Sequence, residues 1–511
     1  MGAKKQVAIN MATQIISFIL NIGISFFLAS FIVGNIGKEM YGFWGLANNF
    51  VSYITVFTVA LNSMLSRFVM IKIHQNDIET ANKYYSSVAI ANLTIVLIFT
   101  LPTIVFVLFL DNIINIPNPF IFDVKILWLL LFINFFLSLL GSVYNLGTFV
   151  KNRLDLAASI DIKANIFRAI LLFVFFSFMP PHLWYIGFIT LLCTMYVTVK
   201  KIEFMKKLTP QLKIRKKYFN WNSMKELLVV GVWNSINQLS QILMAGMDLL
   251  MTNLFIGATD MGYLSIAKTI PLQIQNFIHM SANIFTPQLT KTYAGGNIKE
   301  FVKEIIFSMK ITGFLGSVPI IGLIIFGKDF FALWMPGLSD NEIVKIQILS
   351  VLTLLPLICN TIFNPLFNVN TITAKIKLPV ITNLIMGGAN IIIVYLLINY
   401  TNLGVYAVAA VSGLMILIRM VVFVPIYAAY TLNVKWYTFY VILLRGIVAL
   451  FLLTAMFFVI NHITNISSWI SFVLVCGFAG LSGYIVSFII IFNNHEKKLA
   501  IHMIKGKLKK A

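Results

Sequence analysis

Five polar residues in the first apolar stretch, Asn10, Gln14, Ser17, Asn21 and Ser25, follow one another at spacings of four, three, four and four, so a helix puts them on one face. A second set, Asn234, Asn237, Gln238, Gln241 and Asp248, lies 220 residues further on: Gln14 aligns with Asn234, Ser17 with Asn237 and Asn21 with Gln241. Asn48, Ser52, Thr55, Asn62 and Ser66 share one face of a third stretch, and Lys268, Gln275, His279 and Thr286 mark a fourth. Amides and hydroxyls in apolar helices do one of two things. They hydrogen-bond between helices, at about 0.6–2 kcal/mol per contact, or they line a water-filled vestibule that handles a polar solute. A stripe that repeats with the chain favours the vestibule.

Charges inside apolar stretches are few. Asp248 and Lys268 flank the turn at Gly257–Asp260 at similar distances, so antiparallel neighbours put them at similar depth. A cation there suits an anionic group, with Asp248 restraining it or taking a proton or sodium ion. The alternative is an ion pair that only holds two helices together. Arg168, Arg419 and Arg445 lie a few turns inside their stretches, and for Arg168 and Arg445 the plain reading is snorkelling to the interface.

The elements that carry these residues follow from composition. Of 511 residues, 59% are hydrophobic and 11% charged, with mean hydropathy +0.91. That excludes a soluble protein and a disordered one. Apolar runs long enough to span a bilayer recur at 7–33, 42–65, 87–110, 124–147, 160–180, 182–199, 227–256, 261–286, 305–327, 342–369, 378–399, 403–430, 438–460 and 468–492. Such runs predict helices, giving an all-α polytopic membrane protein with fourteen spans. Pro180 and Pro181 separate the fifth from the sixth. The first run is too long for a signal-peptide core. The three cysteines all lie in apolar runs, so no disulfide framework is expected.

The net charge of +21 reports topology. With the N-terminus in the cytoplasm and alternating spans, most of the 38 Lys and Arg fall on the cytoplasmic side, including nine between Lys200 and Lys225 and six from Lys497 onward. Both termini are then cytoplasmic, and the expected surface partner is anionic lipid rather than nucleic acid. The segment 200–225 alternates those bases with Phe204, Tyr218, Phe219 and Trp221, as a linker lying on anionic headgroups would; a substrate-gating role is the other reading.

The chain also repeats. Shifted by 220 residues, Gly37, Gly42 and Ala47 meet Gly257, Gly262 and Ala267, and Lys83 meets Lys303. Six spans per half make a parallel repeat, which places substrate between halves that rock. This predicts an N-terminal lobe at 1–210, a C-terminal lobe at 211–430, and two appended spans with a basic tail at 431–511. Gly322 to Asp329 (GLIIFGKD) approaches a phosphate-binding loop, but Asp329 replaces the magnesium-binding hydroxyl and no strand precedes it. With no metal-spaced Cys or His and only short loops, the chain reads as a transporter rather than an enzyme, with no metal site.

Gly34 to Met70, GNIGKEMYGFWGLANNFVSYITVFTVALNSMLSRFVM, resembles the opening signature of polysaccharide (lipid-linked oligosaccharide) flippases, Wzx-like members of the multidrug/oligosaccharidyl-lipid/polysaccharide exporter superfamily. Its glycine-acidic-Tyr-Gly turn, span and basic-aromatic end are matched by Gly37, Glu39, Tyr41, Gly42, Arg67 and Phe68; Asp77 and Lys83-Tyr84-Tyr85 fit the next loop. The resemblance implies a V-shaped, MATE-like pair of six-helix lobes around a cationic cavity, plus two C-terminal helices. It implies alternating-access export of an oligosaccharide repeat unit on undecaprenyl pyrophosphate, from the inner to the outer leaflet of the bacterial cytoplasmic membrane. The lipid tail stays in the bilayer. Coupling is to H+, Na+ or the membrane potential, with no other cofactor, and the partners are a polysaccharide polymerase and glycosyltransferases.

Cavity residues on this reading are Lys268, Arg419, Gln14, Ser17, Asn21, Asn234, Asn237, Gln241, Asn48, Gln275, His279, Arg67 and Arg168, with Asp248 for ion coupling. Relatives that flip the peptidoglycan precursor carry bases on spans 1, 2 and 8; Lys268 fits in kind, but spans 1 and 2 have no interior base. Drug-exporting relatives usually have twelve spans and an acid in span 1, which is lacking here. A peptidoglycan-precursor (lipid II) flippase, a cation-coupled multidrug exporter and a non-transporting scaffold or scramblase stay open.

Overall fold

The computed structural model describes residues 3–498, except the side chains of residues 3–8, 11, 12, 14, 15 and 18. The described residues form helices and no strands. Fourteen long helices follow in order: α1 Ala3–Ile36, α2 Lys38–His74, α3 Ile78–Leu108, α4 Ile121–Ser142, α5 Leu154–Phe178, α6 Trp184–Leu208 and α7 Trp221–Gln241. A π-turn, Ile242–Gly246, carries α7 on into Asp248–Phe255. Then come α8 Ala258–Asn283, α9 Ile298–Trp334, α10 Asp340–Phe363, α11 Lys377–Tyr400 and α12 Val405–Ile418. A second π-turn, Arg419–Phe423, continues α12 into Val424–Thr431, and α13 Tyr440–Ile463 and α14 Trp469–Ile491 complete the chain. Each predicted span holds a long helix, but 124–147, 261–286 and 342–369 are interrupted near their ends, at Val143–Asn145, 284–285 and 364–365.

Twelve of these segments are long and apolar enough to cross a membrane, and the chain is a multi-pass membrane protein. The other two are α5 and α8, whose charged and amide residues (Asp161, Lys163 and Arg168; Lys268, Gln275 and Asn276) lower their hydropathy.

The repeat is written in the backbone. Helices α2 and α8 start at Lys38 and Ala258, α3 and α9 at Ile78 and Ile298, and the short helices Leu146–Val150 and Leu366–Ile372 share the same 220-residue offset. The turns match too. Gly37 and Gly257 both take positive φ, 87° and 140°, where a side chain would be strained. Asn76 and Gly296 form the next pair, at 58° and 75°. Asp77 then caps α3 through Thr80 N–H, and Asn297 caps α9 through Glu300 N–H.

Packing divides the chain into two compact units, Met1–Gly262 and Tyr263–Ala511. In the first, α7 lies along α2 without clearance: a Cβ on Gly231 would stand 1.8 Å from the Ala60 carbonyl oxygen. Ser235 Oγ donates to Val56 O at 2.6 Å. The packing boundary therefore falls after α7, whereas the repeat boundary falls before it. In the second unit, α13 and α14 close on α9 through Val318, Ile321, Phe326, Leu453, Phe457 and Ala479.

The basic linker is laced to α3. Asn82 Nδ2 donates to Gln211 O and its Oδ1 accepts from Lys213 N–H. Ser86 Oγ donates to Lys213 O and accepts from Arg215 N–H. Ser87 exchanges the same two bonds with Asn220. These three side chains are buried, so the linker backbone satisfies polar groups that would otherwise be orphaned. The side chains of Lys213, Arg215, Lys216 and Lys217 point outward and are exposed.

Candidate functional site

The polar stripes divide by use. On α1, Asn10 is buried and consumed: its Nδ2 donates to Asn152 O and Oδ1 at 2.9 and 3.0 Å, and its Oδ1 accepts from Asp155 N–H at 3.0 Å. The Gln14 side chain lies outside the described residues. Ser17 is half-buried and Asn21 exposed, with Ser25 Oγ 3.5 Å from Asn21 Oδ1. On α7, Asn234 Nδ2 donates to Ser63 Oγ at 3.0 Å, Asn237 and Gln238 are half-buried, and Gln241 is exposed. On α2, Asn48 is exposed and donates to Trp44 O, whereas Asn62 joins Asn92 and Ser142 in a knot between α2, α3 and α4. Bonds to other segments thus take Asn10, Asn62 and Asn234, while Asn21, Asn48 and Gln241 keep open faces.

The π-turn of α7 shows why its neighbours are polar. A π-turn displaces a backbone carbonyl from the helical ladder. The Gly246 carbonyl accepts from Asn49 Nδ2 at 3.1 Å and Tyr53 Oη at 2.7 Å. Asp248 begins the continuation of the helix, buried at 4% exposure and within electrostatic reach of Tyr53.

Of the remaining cations in the first unit, Arg67 is exposed and lines an open cavity of about 490 Å³ with Met70, His74 and Phe149. Arg168 is half-buried on α5, beside Cys193, and its Nε has no hydrogen-bond partner.

In the second unit, Lys268 and Gln275 are half-buried on α8. His279 is half-buried too, and its Nδ1 meets Asn364 Nδ2 at 3.0 Å. Arg419 opens the π-turn of α12 and is buried at 6% exposure. Asn360, Asn364, Asn368 and Thr286 cluster here. Only Thr286 figures in the sequence reading. The three asparagines are spaced by four, the same signal as the stripes, but Pro365 interrupts the helix between α10 and Leu366–Ile372.

The fold is that of transporters of the MOP superfamily. The inward-closed structure of the lipid II flippase MurJ superposes with a TM-score of 0.67 at 17% identity, covering 94% of this chain and 98% of its own. An inward-facing multidrug resistance MATE family transporter gives 0.62 at 15%, covering 85% and 98%. A MOP superfamily transporter from Pyrococcus furiosus gives 0.61 at 15%, covering 84% and 94%. In sequence, the chain is similar to EpsK, an uncharacterized membrane protein of Bacillus subtilis (strain 168), at 27% identity over 499 residues, 96% of this chain and 97% of the relative. No family model matches the chain.

Proposed function

We propose that this protein is a flippase that moves a lipid-linked oligosaccharide from the inner to the outer leaflet of a bacterial cytoplasmic membrane by alternating access. The observation that carries the reading is coverage. The lipid flippase accounts for 94% of the chain, whereas the MATE transporter, at 85%, leaves a remainder about as long as the appended residues 431–511. The chemistry agrees. Exposed amides at Asn21, Asn48 and Gln241 suit a sugar, which exchanges hydrogen bonds with water and amides at similar cost. The lipid tail remains in the bilayer. Lys268 meets the anionic headgroup on this reading, and Asp248 couples its release to a proton or a sodium ion. On this reading both termini and the 200–225 linker lie at the inner leaflet, which the positive-inside distribution supports.

The test is transport in proteoliposomes. Undecaprenyl-pyrophosphate-linked oligosaccharide placed in one leaflet should become accessible to a sugar-modifying reagent on the other side. The rate should exceed that of protein-free vesicles. Movement of lipid II alone, or efflux of cationic dyes without movement of the glycolipid, overturns the reading.

A further inference from the structure

One charge in the second unit has no counter-charge. Arg419 is 6% exposed, its Nε is buried without a hydrogen-bond partner, and among the described residues it forms no ion pair. Its guanidinium lies over the Phe367 ring, 4.9 Å from the centroid. His279 of α8 is within electrostatic reach.

Amides hold His279 on its other side. Asn364 Nδ2 donates to His279 Nδ1 at 3.0 Å and to Asn360 Oδ1 at 2.9 Å, and Asn368 Oδ1 accepts from Thr286 Oγ1 at 3.0 Å. Because Asn364 donates to Nδ1, the imidazole proton sits on Nε2, which leaves His279 a donor of its own. None of these hydrogen-bonded groups is a carboxylate.

Arginine stays charged at neutral pH, and a buried charge without a partner is costly. The asparagines supply dipoles but no counter-charge. The π-turn beginning at Arg419 is a local widening of the helix of the kind that collects at ligand sites. A planar guanidinium with parallel N–H donors fits two phosphate oxygens at once.

We propose that Arg419, with His279 and the amide of Asn360, binds the phosphate or pyrophosphate group of the transported lipid, while Asn364 orients the imidazole. The proposal rests on the flippase reading and adds to Lys268 a second cation of the second unit, Arg419, that takes the headgroup. Phosphate binding completes the Arg419 charge pair, and departure of the lipid leaves the charge uncompensated again. The bound and empty states therefore differ in energy at this residue, as an alternating carrier requires.

The experiment uses the full chain in phosphatidylcholine nanodiscs and follows thermal unfolding with undecaprenyl pyrophosphate, undecaprenol or inorganic pyrophosphate. Undecaprenyl pyrophosphate should raise the melting temperature of the wild type, and undecaprenol should not. Arg419→Met should abolish that rise and melt, ligand-free, at or above the wild-type temperature, because it removes an unpaired charge. A retained rise in Arg419→Met overturns the proposal, and so does a ligand-free melting temperature well below wild type, which marks a structural arginine. Should Arg419→Met fail to fold, Arg419→Lys decides: about tenfold weaker binding supports the site, and unchanged affinity overturns it. A rise with inorganic pyrophosphate equal to that with the lipid assigns the site to free polyphosphate and overturns the lipid-linked source. Glycolipid transport measured in parallel separates the two readings. Binding intact with transport absent sinks the flippase reading alone. Transport intact with no Arg419-dependent binding sinks the site alone.

Discussion

Gly42 and Gly262, which occupy the same place in the two repeats, touch each other. A Cβ built on Gly42 would lie 3.0 Å from Gly262 Cα, and one on Gly262 would lie 2.6 Å from the Lys38 carbonyl oxygen. Nearby, another repeat-related pair meets: Thr259 Oγ1 donates to Glu39 Oε1 at 2.6 Å. Each glycine is the clearance for the other's helix.

Gly262→Val is therefore expected to force the first turns of α2 and α8 apart, at a cost of about 1–3 kcal/mol. Gly34→Ala, which meets nothing within 4 Å, is the control. Thermal melting in detergent measures both, and equal melting temperatures for the two variants would remove the contact from the account.

The stripe residues should separate by reactivity. In a background lacking Cys193, Cys359 and Cys476, cysteines at Asn21 and Gln241 should react with a water-soluble thiol reagent. Cysteine at Asn10, whose position is buried against Asn152, should not. Uniform protection of all three would return the open stripe to helix–helix bonding.

Lys310, 5% exposed, pairs with Glu496 just past α14 at 2.7 Å. Burial alone would raise the Glu496 carboxyl; the Lys310 hydrogen bond and the Asn493 N–H outweigh it and hold the carboxyl below the ordinary carboxylate range. A depressed folded-state pKa means the contribution is complete above the unfolded carboxylate pKa of about 4.3 and is lost as pH falls through the lower folded value. Glu496→Gln should cost about 3–5 kcal/mol by leaving a buried ammonium unpaired, and Lys310→Met with Glu496→Met together should recover most of it. Denaturation at pH 7 and at strongly acidic pH checks both; a Glu496→Gln loss that persists unchanged in acid contradicts the pair.

Exchanging the charges by Asp248→Lys with Lys268→Asp should leave the protein folded and stop glycolipid transport. Normal transport by the exchanged protein would show that the two residues serve structure only.

Sidedness is open to labelling. Lys213 and Lys328 are both exposed, and the positive-inside expectation assigns them to opposite faces of the membrane. Single cysteines there, treated with an impermeant reagent outside intact cells, should label at residue 328 and not at 213. Equal labelling refutes the assignment of both termini to the cytoplasm.

The helices were legible because bilayer length and apolar runs leave little choice, and even α5 and α8 stood out despite Arg168 and Lys268. The repeat was legible from glycines at turns, where conformation demands the residue type. What each stripe residue does was not. Asn10 and Asn21 share a face of one helix, yet one is spent on Asn152, a residue 142 positions away, and the other is open. Hydrogen-bond partners at that range leave no local pattern. The π-turns at Ile242–Gly246 and Arg419–Phe423 were equally silent, since no proline or glycine pair announces them at their start.

The lacing of the linker to α3 bears on how such a chain can be assembled. Asn82, Ser86 and Ser87 hold the backbone from Gln211 to Asn220 by paired hydrogen bonds, so the join between the repeats is docked as well as covalent. A chain opened between Thr209 and Pro210 keeps every one of those bonds. Its two fragments carry their own means of recognition, α3 on one and residues 211–220 on the other.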